Sequence, residues 1–311
     1  MSPSRRRLLH AFGSAGTAAF AGCNGRFGGS SPAREYALDV DRIDASLVAF
    51  ALYEPGDDPV FGRPARTALD EILPTGTHTT YGYESLPEDV YVRHDGSYYV
   101  TQVVVTGRKA VTRRAVELTR VDEDETDETA DAVQVESLPQ ADARVLKILH
   151  SYEWTDGRGS VSDLVDDGRY VLRRPAEANG RLATDLDGRL VAMDEIATYR
   201  VDVAEVTLTE PAYTARAVEV ATSRDGFAAV AAATRVDCHL GSSDLSASER
   251  DLLEQAVARD VYRETEPLSG PFVALLDALG LESVEDGKTG QVLRYDEELF
   301  RYGLYVNETD D

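Results

Sequence analysis

The chain is poor in several residue types, and each shortage excludes something. It has two cysteines, Cys23 and Cys238, among 311 residues. That number cannot staple a small secreted scaffold. No uninterrupted apolar run reaches the ~18 residues of a spanning helix, so no polytopic membrane protein is encoded. Only three lysines occur, Lys109, Lys147 and Lys288, and 32 bases face 56 acids. A net charge of −24 argues against phosphate-backbone binding, which uses clustered Lys and Arg, so no nucleic acid is expected as a partner. Five histidines are spread through the sequence. None of the four beyond residue 22 lies three or four residues from another, and His-Glu-x-x-His is missing, so no local metal site is encoded. There is no Gly-x-Ser-x-Gly elbow of a common serine hydrolase. Gly287-Lys288-Thr289 has Glu282 where a phosphate loop needs glycine, and Glu285 and Asp286 would repel phosphate. No cofactor is implied.

What is present begins at the N-terminus. Ser4-Arg5-Arg6-Arg7-Leu8 precedes a weakly apolar stretch that closes on Phe20-Ala21-Gly22-Cys23. Charge first, a short apolar core second and a small-residue site last is the layout of an export signal. A buried helix is the competing reading, but Gly13, Gly16 and Gly22 would each cost it about 1 kcal/mol against Ala. Arg5 and Arg6 sit as in a twin-arginine signal, an address read by the Tat translocase. The residues around Cys23 resemble a lipobox, with Phe20 in place of the usual Leu, which implies lipid attachment at Cys23. Residues 1–22 are then a signal peptide and 23–35 a Gly/Ser tether. Loss of three arginines takes the chain from −24 to −27.

So acidic a chain is screened in concentrated salt, where the Debye length falls to about 3 Å at 1 M. The bland reading of this charge is a solvated surface. Few lysines, many acids and the signal together resemble the Tat-exported lipoproteins of haloarchaea, of unknown function. The resemblance implies an extracytoplasmic location on the cell membrane, a lipid anchor and adaptation to high salt.

The folded part reads as α+β. Tyr91–Val100 alternates and turns at Asp95-Gly96, a hairpin signal; Val292–Arg301 follows the same course. Tyr170–Arg174 starts it again, and Tyr199–Val203 resumes it. Arg114-Ala115-Val116-Glu117-Leu118 recurs as Arg216-Ala217-Val218-Glu219-Val220. Helical patterning spans 140–150 and 64–73. Ser246-Ala247-Ser248-Glu249 is a capping box opening a helix to about 258, and a short helix spans 270–279 between Pro271 and Gly280. Leu47–Tyr53 fits helix or strand. A turn at Asp225-Gly226 is followed by an apolar run, 227–236, that reads as a strand. These elements suggest a helix-helix-strand-strand unit with an antiparallel hairpin, used three times. The modules are 36–121, 138–237 and 238–311, with an acidic linker at 122–137.

Candidate site residues are few. Cys238-His239 ends the apolar run. Strand neighbours point to opposite faces, and a lone Cys is usually a small buried hydrophobe. Thr77–Tyr83 reads as a polar aromatic loop, with His78, Tyr81 and Tyr83 as candidate binding residues. The tyrosines of the hairpins suit half-buried strands by packing alone. The leading expectation is a non-enzymatic surface module that binds a protein or solute. The alternative is an anchored extracytoplasmic hydrolase whose site is assembled from several modules.

Overall fold

Turn chemistry builds two hairpins. Asp95 and Gly96 both take positive φ, 47° and 86°, which gives a tight turn the twist of its flanking strands. Asp296, at φ 51°, opens the second. The computed structural model describes residues 33–121, 132–193, 197–281 and 287–308. Cys23, Arg5, Arg6 and the acidic run 122–128 lie outside them.

In chain order the elements begin with β1 (Arg34–Ile43), α1 (Leu47–Ala51), α2 (Gly62–Ile72), β2 (Thr77–Tyr81), β3 (Tyr91–His94), β4 (Ser97–Arg120) and β5 (Val133–Gln134). Next come α3 (Gln140–Trp154), β6 (Tyr170–Val171), α4 (Pro175–Ala178), α5 (Arg181–Thr184), β7 (Leu190–Met193) and β8 (Ala197–Ala221). The last are α6 (Arg224–Arg235), β9 (Cys238–Leu240), α7 (Ala247–Arg259), β10 (Val261–Thr265), α8 (Gly270–Ala278), β11 (Lys288–Tyr295) and β12 (Glu298–Glu308). The fold is α+β with open, mainly antiparallel sheets. Among the described residues no helix is long and apolar enough to cross a membrane.

Two sheets organise the chain. One has the order β10-β1-β12-β11-β9. Its core packs Leu38, Leu293 and Leu304 against Leu253 of α7 and Phe272 and Leu275 of α8. The other is built on a long ribbon. β4 and β8 pair antiparallel from Tyr98↔Ala221 to Arg120↔Tyr199, with shifts at Tyr98/Tyr99 and Val105/Gly107. At about 3.3 Å per residue such a ribbon runs some 75 Å. β3 pairs with the start of β4, and β6 with Ala115 and Val116. On the other edge, β2 pairs with Ala212–Arg216 of β8 and β7 with its first residues. Three apolar clusters lie along the ribbon. Phe227 of α6 stacks on Tyr98 at one end. Ala65, Ala68 and Ile72 of α2 pack with Ala215. Val145, Leu146 and Leu149 of α3 pack with Val116 and Val201 at the other end.

Several expectations change. Residues 224–235 form a helix, not a turn and strand. Five alanines, the best helix formers, sit there, and the Ser223 hydroxyl caps the helix by accepting the Gly226 N–H at 3.2 Å. Tyr170–Val171 and Tyr199–Val203 do not pair with each other; they flank β4 on opposite sides. Residues 133–137 are not linker. Val133 and Gln134 pair with β7, and Val135 is fully buried. The sheets also join segments across the expected module boundaries: β1 pairs with β10 and β12, and β4 with β8.

Candidate functional site

A cleft of about 310 Å³ opens where α2, β2 and α4 meet. Pro59, Pro64 and Pro175 make its walls stiff. Its polar lining is Arg63, Thr67, His78 and Tyr83.

Local sequence places these groups. Asp58 starts α2, its carboxylate accepting from the N–H groups of Val60, Phe61 and Gly62 at 3.1, 2.7 and 3.0 Å. Those bonds, Phe61's foremost, hold its pKa below the ordinary carboxylate value. The helix so started carries Arg63 and Thr67 on the cleft wall, with Glu71 one turn further on. Glu71 lies 2.8 Å from Nδ1 of His78, on β2. After β2 the chain turns at Gly82, φ 75°. A Cβ there would overlap the Glu210 carboxylate, so glycine is required for both conformation and space. The Gly82 N–H donates to Pro211 O at 3.0 Å, and Tyr83 is delivered to the cleft.

Beneath the cleft lies a charged network that carries the site's electrostatics. Glu210, 3% exposed, accepts from Arg113 Nε and Nη2 at 3.0 and 2.8 Å and from Arg173 Nε at 2.8 Å. Glu177, 1% exposed, accepts from Arg144 Nη1 at 3.2 Å and the Tyr170 hydroxyl at 2.8 Å. Its other oxygen takes the N–H groups of Arg173 and Arg174. Among the described residues Arg174 makes no ion pair, though Glu177 and Asp58 lie near enough to act on its charge. Its guanidinium lies 4.4 Å from the ring centre of Phe61 and 5.0 Å from that of Tyr83. Among the described residues its guanidinium donates to the carbonyls of Val60 and Glu84, each at 3.4 Å. Burial lowers its pKa, but arginine stays protonated near neutral pH. Burial also pushes the Tyr83 hydroxyl up. The network thus holds four guanidiniums, of Arg113, Arg144, Arg173 and Arg174, over two buried carboxylates. Arg63, at the rim, makes no ion pair among the described residues. With Asp58 and Glu71 beside the cleft, five guanidiniums face four carboxylates, an excess of one positive charge in a chain of net −24.

No family model matches the chain, and no curated protein or solved structure matches it.

Of the candidate residues, His78 and Tyr83 meet in the cleft. Tyr81 does not line it. The Tyr81 ring carries the Lys109 ammonium at 4.9 Å, and its carbonyl accepts from Arg113. The segment 77–81 is a strand, not a loop, because β8 offers it a free edge. Cys238 and His239 lie on β9, in the other sheet. Burial raises the Cys238 thiol pKa, which makes it a poor nucleophile. Among the described residues no three His, Cys, Asp or Glu side chains gather as a metal site. Among the described residues neither Thr67 nor any other hydroxyl or thiol hydrogen-bonds to the His78 side chain, whose partner is Glu71. The arginines were missed by reading the sequence. The doublets Arg113-Arg114 and Arg173-Arg174 were the one visible signal.

Proposed function

We propose that this chain is a lipid-anchored, extracytoplasmic binding protein whose cleft takes a small oxyanion-bearing ligand, a carboxylate or phosphate. The observation that carries the reading is Arg63 on the cleft wall, without an ion pair among the described residues, backed by Arg174, whose guanidinium lies 5.0 Å from the ring centre of the cleft residue Tyr83. A planar guanidinium fork matches two oxygens of either anion. The stiff proline walls lower the ordering cost of binding. The anchor rests on the layout around Arg5, Arg6 and Cys23, and high-salt adaptation on the composition.

The ligand reading is tested by calorimetric titration of the purified mature domain with citrate and with inorganic phosphate, in salt that keeps it folded. Binding should be seen with at least one anion. Arg63→Gln and Arg174→Gln should each weaken it about tenfold, the worth of one charge-assisted contact. No heat with either anion, or wild-type affinity in both variants, refutes it. The anchor is tested by intact mass and phase partitioning of wild type against Cys23→Ser. Lipid mass on a chain starting at Cys23, lost in the variant, is the expected result.

The Glu71–His78 pair favours the hydrolase as second reading. Ester turnover by wild type that is lost in His78→Gln would replace binding with catalysis.

A further inference from the structure

The middle of the ribbon carries a second feature, outside the cleft, that shares Arg113 with the network beneath it. From Ser97 to Val116, twenty residues pass without one Asp or Glu, in a chain where 56 of 311 residues are acidic. The same stretch holds Arg108, Lys109, Arg113 and Arg114. Val104 to Ala110 are all exposed, Val105 at 60%. On its inner side this strand is fully occupied by β8. On its outer side β3 stops at Val100 and β6 begins at Ala115. Between them, residues 102–113 of β4 meet no backbone partner on that side among the described residues. That is an open edge of about 40 Å.

An unpaired edge presents alternate N–H and C=O groups as a template for another strand. Charge then decides which strand. Arg108, Lys109 and Arg114 make no ion pair among the described residues. Lys109 leans on Tyr81, and Arg114 faces Glu205 across the ribbon without bonding it. A second copy pairing edge to edge would set these cations against their own images, and like charges across a pair destabilise it. An acidic strand would meet complementary charge along the same edge. A slot of about 200 Å³ lies at the far end of the edge, lined by Thr112, Arg113, Arg114, Leu172, Ala178 and Glu205. It has room for one side chain of the incoming segment.

We infer that the outer edge of β4, residues 102–113, is a docking site for an extended acidic polypeptide segment that adds as a strand. About six residues of the edge face outward with paired N–H and C=O groups. They supply the affinity, while Arg108 and Lys109 select the charge of the partner.

The probe is a blocked peptide of alternating glutamate and valine, compared with its lysine–valine counterpart. Binding is read by fluorescence anisotropy, and the site by hydrogen exchange, at the lowest NaCl concentration at which circular dichroism shows the domain folded, so that exposed charges are screened least. The acidic peptide should slow exchange within 102–113 and bind about tenfold more tightly than the basic one. Arg108→Glu with Lys109→Glu, shown folded by circular dichroism, should reverse that preference. The acidic peptide N-methylated at alternate residues should not bind, whatever the protein variant. The inference is overturned if protection appears elsewhere, if both peptides bind alike, or if N-methylation changes nothing. Protection of 102–113 that instead rises with protein concentration alone would assign the edge to a second copy and refute the acidic partner.

Discussion

Glu210→Ala should be the most damaging single change near the cleft. The carboxylate is 3% exposed and accepts three hydrogen bonds from two guanidiniums. Their side chains are themselves only 17% and 32% exposed. Truncation leaves Arg113 and Arg173 charged, part-buried and facing each other. Breaking a buried pair by removing one partner costs about 3–5 kcal/mol, against a total stability of about 5–15 kcal/mol. The more exposed pair Arg263–Glu35, at 2.9 Å and with its carboxylate side chain 31% exposed against 3% for Glu210, is the control; Glu35→Ala should cost about 0–1 kcal/mol. The assay is urea unfolding of wild type and both variants at two NaCl concentrations. Salt screens exposed charges far more than buried ones. The Glu35→Ala loss should therefore vanish at the higher salt, while the Glu210→Ala loss persists. If Glu210→Ala lies within about 1 kcal/mol of wild type, the network is not held by this carboxylate. The surplus positive charge would then not be fixed beneath the cleft.

Three further outcomes follow from the same structure. Asp58→Ala removes the acceptor for three N–H groups at the start of α2 and should cost about 1 kcal/mol, read as a lower midpoint in scanning calorimetry. Burial, helped by Arg120, lowers the His150 pKa from 6.5, so the unfolded chain takes up a proton that the fold resists. That stability is intact above about pH 6.5 and is lost as pH falls toward the folded value. His150→Gln should flatten the slope of the urea midpoint between about pH 5 and 7.5, and an unchanged slope would place the titration elsewhere. Moving the purified protein from molar to millimolar NaCl should cost it secondary structure by circular dichroism, because self-repulsion of a chain of net −24 is then unscreened; an unchanged spectrum ends the high-salt reading.

What was legible in the sequence was local. The Asp95-Gly96 turn, the capping box at Ser246 and the helix closed by Gly280 need only a few adjacent residues, and the structure contains all three. The failures have local causes too. Asp225-Gly226 reads as a turn only if Ser223 is ignored, and the alanines behind it are helix formers whatever their apolarity suggests. Residues 77–81 look polar because β2 lies at a sheet edge, with only one residue buried. The network beneath the cleft was not legible at all. Arg113 and Glu210 are 97 residues apart, and Arg174 and Val60 are 114 apart. Such pairs exist because a long antiparallel ribbon brings strands from distant parts of the chain into register. β4 carries Arg113, and β8 carries Glu210. β6, held on β4, delivers Arg173 and Arg174 just past its end. In a chain with 56 acids no single arginine draws notice as a site residue. What singles them out among the described residues is that Arg113 and Arg173 share one buried carboxylate, Glu210, and Arg144 takes Glu177, a pairing that depends on register, which the hairpin turns alone do not determine.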